Sequence, residues 1–311
     1  MTTLAYFEDN FVPIEEAKVS VMNNTLHYGT GCFGGLRAYW NADHEQLYAF
    51  RLVDHFERFL NSAKLLHMRL PYSAEELVDL VLELLRREGW RENVYIRPIA
   101  YKDTGIYQVW LHDIPDRVAI FSQSIGNYLR KESGIKVCVS SWRRVDDTAI
   151  PARGKVNGTY VNSALAKSDA MLSGFDEAIV LNQDGHVSEA TAANFMMVRK
   201  GVLITPPITS NLLEGITRRS LIQLAREELG LEVVERDIDR SELYMADEAF
   251  FCGTGVQMAP ISAIDHRQVG DGEIGPIAAA IGDLQYRVLT GQVAKYVDWL
   301  SPVYQGEPMP V

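Results

Sequence analysis

No stretch of these 311 residues holds about 18 uninterrupted apolar side chains, so no membrane-spanning segment is expected. The opening residues, MTTLAYFEDNF, lack the basic-then-apolar order of a signal peptide, and a cytoplasmic location is the expectation. Cysteine is scarce. Cys32, Cys138 and Cys252 are odd in number, far apart, and accompanied by no CxxC pair or His-rich cluster. Reduced, buried thiols are expected, with neither a disulfide framework nor a metal site. Positive charge is short too: 30 Lys and Arg against 41 Asp and Glu leave a net charge of -11. Nucleic-acid binding needs clustered cations, and the nearest candidate, Trp142-Arg143-Arg144, is offset by Asp146 and Asp147. A nucleic-acid partner is therefore excluded.

What is there fits a globular enzyme. The hydrophobic fraction of 47% and charged fraction of 23% are ordinary. The length is generous for one core and comfortable for two domains. There is no internal repeat. "FGGLRAYW" and "QLYAF" read as strands, followed by a helix over "DHFERFLNSAKLLHM" with Phe56, Leu60, Ala63 and Leu66 on one face. A capping box, Ser73 to Glu76, opens the next helix, and Gly89 closes it. "NVYIRPIAY", "RVAIFSQSI" and "GIKVCVSSW" are further strands. This predicts an α+β domain over residues 1–125, a linker at 126–134 ("GNYLRKESG"), and a second, larger domain over 135–311. There a helix carries Val161, Ala164, Leu165, Ser168 and Leu172 at helical spacing. Hairpins turn at Asp184-Gly185 and Lys200-Gly201. A helix from Gly215 to Gly230, strands "EVVERDI" and "AFFCGTG", and a last helix around "IAAAIGDLQYRVL" complete the pattern.

The chemically suggestive stretch is "ARGKVNGTYV", with Lys155 between Gly154 and Gly158 just ahead of a helix. Loop lysines are ordinarily solvated surface groups, but flanking glycines permit tight turns and close backbone approach to a ligand. Glu189 follows the Asp-Gly hairpin and is trailed by Ala190, Thr191, Ala192 and Ala193, small residues that leave room beside a carboxylate. Gly215-Ile216-Thr217 at a helix start and the turn Gly253-Thr254-Gly255 offer backbone N–H groups suited to a phosphate. An amine, a carboxylate and a phosphate cup are the parts a pyridoxal phosphate enzyme requires. On residues alone, Arg37 is the arginine that best suits the phosphate.

The motifs "HYGTGCFGGLRAY", "DHFERFLNSAK", "VYIRP", "GKVNGTY", "GHVSEATAANF", "TPPITSNLLEGITR", "YMADEAFFCGTGVQMAPI" and "GPI" occur in the order of one family. The chain resembles the fold-type IV pyridoxal phosphate enzymes, and most of all the branched-chain amino-acid aminotransferases. The resemblance implies a two-domain α+β/α/β fold like that of D-amino-acid aminotransferase, with a small N-terminal domain, a larger C-terminal domain and the cofactor between them. It implies that Lys155 is the Schiff-base lysine and shuttles a proton between substrate Cα and cofactor C4′. Glu189 would pair with the pyridinium nitrogen, and Tyr160 with the cofactor's phenolic oxygen. Arg58, rather than Arg37, would hold the phosphate together with the amides of Ile216, Thr217 and Thr254. On the substrate side, Tyr95 and Arg97 would bind the α-carboxylate, aided by Thr254 and Gly255. Phe33 and Gly35 would line the side-chain pocket. Tyr28 and the "IYQVWLHDI" segment around Val109 would reach the neighbouring site of a homodimer or higher homo-oligomer.

The activity so implied is amino transfer from leucine, isoleucine or valine to 2-oxoglutarate. Three departures bear on substrate range: Gly34 stands where the family has glutamate, Ser122-Gln123-Ser124 where it has an aromatic, and Lys102 where it has a small or apolar residue. A roomier or more polar pocket is the expectation there, and with it a widened substrate range. The alternatives are an (R)-selective amine transaminase, a D-amino-acid transaminase or an aminodeoxychorismate lyase.

Overall fold

A polar side chain that caps a helix, a glycine that ends it and a turn that reverses the chain account for most element boundaries in this protein. The computed structural model describes residues 3–103, 109–125 and 133–304. In chain order the elements begin with β1 (Leu4–Phe7), β2 (Asn10–Pro13), α1 (Asn24–Tyr28), β3 (Cys32–Phe33), β4 (Leu36–Asn41) and β5 (Gln46–Phe50). Next come α2 (Leu52–Leu65), α3 (Ala74–Glu88), β6 (Val94–Lys102), β7 (Asp116–Ser124), β8 (Ile135–Arg143) and α4 (Tyr160–Leu172). Then follow β9 (Glu177–Leu181), β10 (Val187–Ala190), β11 (Asn194–Arg199), β12 (Val202–Thr205), α5 (Ile216–Glu227) and β13 (Val233–Glu235). The last are β14 (Glu248–Gly253), β15 (Gln257–Ile264), β16 (Arg267–Gln268), α6 (Pro276–Leu289) and β17 (Leu300–Pro302).

These elements form two units. Residues Met1–Gly126, Gly154–Gly158 and Arg287–Val311 make the first; Asn127–Arg153 and Thr159–Tyr286 make the second. The expected division into 1–125 and 135–311 has no such returns of the chain to the first unit. Residues 126–132 of the expected linker lie outside the described residues.

The first unit is one antiparallel sheet in the order β17-β5-β4-β6-β7-β1-β2, with the short β3 also beside β6. Strand alternation gives β6 two faces: Val94, Ile96, Pro98, Ala100 and Lys102 on one, Tyr95, Arg97, Ile99 and Tyr101 on the other. Helices α2 and α3 pack together and against this sheet. The capping box at Ser73 and Glu76 and the left-handed Gly89 are both present on α3. On α2 the buried stripe runs through Leu52, Phe56, Phe59, Ala63 and Leu66. Phe59 therefore takes the core position expected of Leu60, which is half-buried.

The second unit is a mixed sheet in the order β10-β9-β8-β15-β14-β11-β12-β13, with β16 on β15. The β8–β9, β8–β15 and β12–β13 pairs are parallel. Both expected hairpins are in place: β9–β10 turns through Gly185 at φ +94°, and β11–β12 turns through Lys200 and Gly201 at +53° and +78°. Phe195, Met197, Phe251, Ile179 and Val187 belong to the apolar core of this unit. Helix α4 presents its small residues Ser163, Ala166 and Ala170 to the interior. Val161 and Leu172, two of the residues at helical spacing, are 66% and 88% exposed. Close approach of α4 to β8 and β9 leaves space for alanine and serine there, and the larger side chains face out.

Candidate active site

Lys155 owes its position to backbone. The segment around it lies antiparallel to residues 29–33: Phe33 N–H donates to the Lys155 carbonyl at 3.1 Å, and Cys32 bridges Val156. Asn157 N–H donates to Gly31 O at 2.8 Å, and Gly158 N–H to Gly29 O at 3.1 Å. From the other side, the Lys155 N–H donates to Ser62 Oγ at 3.1 Å. Ser62 is buried on α2, and its hydroxyl donates in turn to the Arg58 carbonyl at 2.8 Å. Sequence reasoning passed over Ser62 because a helical serine carries no motif; its place one turn after Arg58, on the inner face, was the available signal.

The Lys155 Nζ lies 5.0 Å from the centre of the Phe33 ring, and the Arg97 guanidinium 4.3 Å from the same centre. Both are cation–π distances. Arg97 also donates to the Tyr95 hydroxyl at 2.9 Å. Four residues singled out in the sequence, Phe33, Tyr95, Arg97 and Lys155, are thus brought together in the first unit. Gly35 joins them, because a Cβ on it would run into the Tyr95 hydroxyl. Arg58 is half-buried on α2, and Arg37 is elsewhere engaged, fully buried with its guanidinium donating to Ile125 O at 3.0 Å.

The three departures prove to be packing solutions. A Cβ on Gly34 would lie 2.5 Å from Pro98 Cγ, so this glycine makes room for β6 and opens no pocket. Lys102 is 1% exposed; its amine pairs with Asp116 Oδ1 at 2.7 Å and donates to His67 O at 3.2 Å. Ser122 is buried in a polar cluster, donating to Glu88 and accepting from Trp90 Nε1 at 2.8 Å. None of the three supports the expected widening of substrate range.

In the second unit, Glu189 is buried on β10 and held on both oxygens. Arg144 Nη2 lies 2.6 Å from Oε1. Asn194 Nδ2 donates to Oε2 at 2.8 Å, and the Leu213 N–H to the same oxygen at 3.3 Å. Such a guanidinium favours the charged carboxylate against the penalty of burial. Arg144, buried and bound also to Asn211 O at 3.2 Å, was read in the sequence as part of a surface basic patch. Arg143, the last residue of β8, is exposed, whereas Arg144 just beyond the strand is buried.

Gly215 is the N-cap of α5 and provides no side-chain cap, while Ile216 and Thr217 behind it are buried. The first turn of a helix presents N–H groups with no intrahelical acceptor, a natural seat for an anion. Thr254 and Gly255 are half-buried in the turn joining β14 to β15, and Gly253 lies beside Ala193. Tyr160 is half-buried at the first position of α4. Tyr28, at the end of α1, and Val109 are exposed, the latter by 83%. Residues 106–108 of the "IYQVWLHDI" segment lie outside the described residues. Burial pushes the Cys32 and Cys252 thiols up to about 12 each, so neither offers a thiolate. Among the described residues no cluster of His, Cys, Asp and Glu could hold a metal.

A sequence model of the amino-transferase class IV family matches residues 31–264. A probable branched-chain-amino-acid aminotransferase of Aquifex aeolicus (strain VF5) is 49% identical over 301 residues, 96% of each chain. The crystal structure of the branched-chain aminotransferase from Thermoproteus uzoniensis with norvaline superposes with a TM-score of 0.93 at 43% identity, covering 98% of this chain and 100% of that one. The T.th. branched-chain amino acid aminotransferase, complexed with N-(5'-phosphopyridoxyl)-L-glutamate, gives 0.92 at 40% identity, with 98% and 99% covered.

Proposed function

The chain belongs to the class IV aminotransferases, and we propose that it moves the amino group of leucine, isoleucine or valine to 2-oxoglutarate. It is a pyridoxal-phosphate-dependent transaminase of fold type IV. When bound, that cofactor supplies an aldehyde that takes the amino group and a pyridinium ring that accepts electron density from the substrate Cα. The groups present suit it: a lysine whose backbone is held on both sides, a buried carboxylate held on both oxygens, and a buried helix start without a side-chain cap.

In this reading Lys155 holds the cofactor through its amine and then carries the proton from the substrate Cα. Glu189 keeps the ring nitrogen protonated, and Tyr160 meets the phenolic oxygen. Arg58 and the amides of Ile216, Thr217 and Thr254 hold the phosphate by charge-assisted bonds. Tyr95 and Arg97, with the amides of Thr254 and Gly255, orient the substrate carboxylate, and Phe33 with Gly35 receives its side chain. The observation that carries the substrate class is the Phe33 ring shared by Lys155 and Arg97. An amine that does chemistry beside a guanidinium suits a substrate with a carboxylate on the reacting carbon, which an (R)-amine lacks. The T.th. complex with a phosphopyridoxyl glutamate supports the glutamate–oxoglutarate pair as the second half.

The same reading includes a cytoplasmic homodimer. No helix among the described residues is long and apolar enough to cross a membrane. Val21, Leu26, Tyr28 and Val109 are exposed apolar side chains of the kind a second copy covers. Light scattering should give twice the chain mass, and Leu26→Asp should lower it; a monomeric wild type overturns that part.

The test of the activity is a half-reaction followed in the visible band of the bound cofactor. L-leucine should bleach it rapidly, D-alanine and (R)-1-phenylethylamine slowly or not at all, and 2-oxoglutarate should restore it. Comparable bleaching by the (R)-amine would favour the amine transaminase, and no bleaching by any of the three the lyase.

A further inference from the structure

We infer that Asn194 is a positioning residue that ties the carboxylate of Glu189 to the start of α5, so that the ring-nitrogen and phosphate contacts of the cofactor are set as one piece. The inference rests on the cofactor roles given above to Glu189 and Ile216-Thr217. Asn194 is 4% exposed, at the first position of β11. Its amide nitrogen gives one hydrogen to Glu189 Oε2 at 2.8 Å and the other to Leu213 O at 2.9 Å. The Leu213 N–H returns to the same Glu189 oxygen at 3.3 Å, closing a ring of three bonds. The neutral side-chain amide fills this place with both hydrogens in use, where aspartate donates nothing and serine donates once.

The same side chain also determines what stands two residues beyond Leu213. A Cβ at position 215 would collide with Asn194 Oδ1 and approach its Cγ at 3.2 Å. Helix starts ordinarily recruit Ser, Thr, Asp or Asn as caps. Here the space for such a side chain is taken by Asn194, and Gly215 leaves the first turn of α5 without a side-chain cap. Asn194 is also the register partner of Cys252 on β14, two residues before Thr254 in the turn that follows. A shift of this one amide would displace the carboxylate and the helix start together.

The experiment compares Asn194→Ala, Gly215→Ala and the double variant by three readouts. These are thermal melting of the apoprotein, cofactor affinity by fluorescence titration, and the L-leucine half-reaction at saturating cofactor. Each single change should weaken cofactor affinity by about tenfold to a hundredfold, the range for a hydrogen bond to a charged group. The double variant should be no worse than the weaker single one, because alanine at 194 vacates the space that a methyl at 215 requires. At saturating cofactor, Asn194→Ala should still turn over at least tenfold more slowly, with KM for L-leucine within about twofold of wild type. Asn194→Ser, which keeps one donor, should fall between, and it serves in place of the double cycle if Gly215→Ala does not fold. Multiplying losses in the double variant, or full recovery of turnover at saturating cofactor, overturns the coupling. Glu189→Gln separates the two levels: if it turns over at the wild-type rate, the cofactor role of Glu189 fails, and the role of Asn194 with it. If Glu189→Gln is slow and the cycle is additive, only the coupling fails.

Discussion

Glu189 is a buried acid that accepts from Arg144, Asn194 and the Leu213 amide. Replacing it with glutamine keeps the shape and removes the charge. Glu189→Gln should retain the bound cofactor's visible band and lower turnover by at least a hundredfold, since a neutral partner no longer favours the pyridinium. Lys102 offers the opposite case, a buried charge without a chemical task. Lys102→Met strands Asp116 and should cost about 3–5 kcal/mol in urea unfolding, as breaking a buried pair does. Its preference among L-leucine, D-alanine and the (R)-amine should not change; a changed preference would return Lys102 to the substrate side. At this scale the sequence marks Lys155 and Glu189 through glycine spacing and small neighbours. It hides Arg144, whose partners Glu189 and Asn211 are remote in sequence and which reads like its exposed neighbour Arg143, and it hides Asn194, whose tie to Leu213 no local pattern announces.

Among elements, helix α4 separates what hydrophobicity can tell from what packing decides. The apolar spacing of Val161, Leu165 and Leu172 marks a helix, but its inner face is made by Ser163, Ala166 and Ala170. A helix set close on a sheet needs small side chains at the contact, and a hydrophobicity ranking has no way to express that distance. Ala166→Leu should therefore destabilise by about 1–3 kcal/mol through overpacking. Leu172→Ser, at an 88% exposed position, should stay within about 0.5 kcal/mol. Equal effects in chemical unfolding would contradict the assignment of faces. Local chemistry is read far better: the capping box on α3 and the turns at Gly185 and at Lys200-Gly201 need only near neighbours, and all are present.

For the molecule as a whole, the sequence carries no trace of the returns of residues 154–158 and 287–311 to the first unit, since those pairings are set by contacts far apart in the chain. Charge, by contrast, is legible in total but not in arrangement. Within the net of -11, Glu242 accepts from Arg236 at 2.6 and 2.8 Å and from Arg199 at 2.7 Å. The Arg236 guanidinium, with Arg199 assisting, holds its carboxyl down to about 2 from the ordinary 4.5. Because the folded value lies below the unfolded one, the stabilisation is complete above about 4.5 and disappears as pH falls through about 2. His186 works the other way: Asp184 raises it, so its contribution is full below the ordinary 6.5 and fades as pH climbs through the raised value. Urea midpoints of wild type and Glu242→Gln should differ most at pH 5–6 and converge as the pH is lowered toward about 2. A difference that stays constant over that range would mean that Glu242 stabilises by packing, and that the acid sensitivity of the fold arises at other carboxylates.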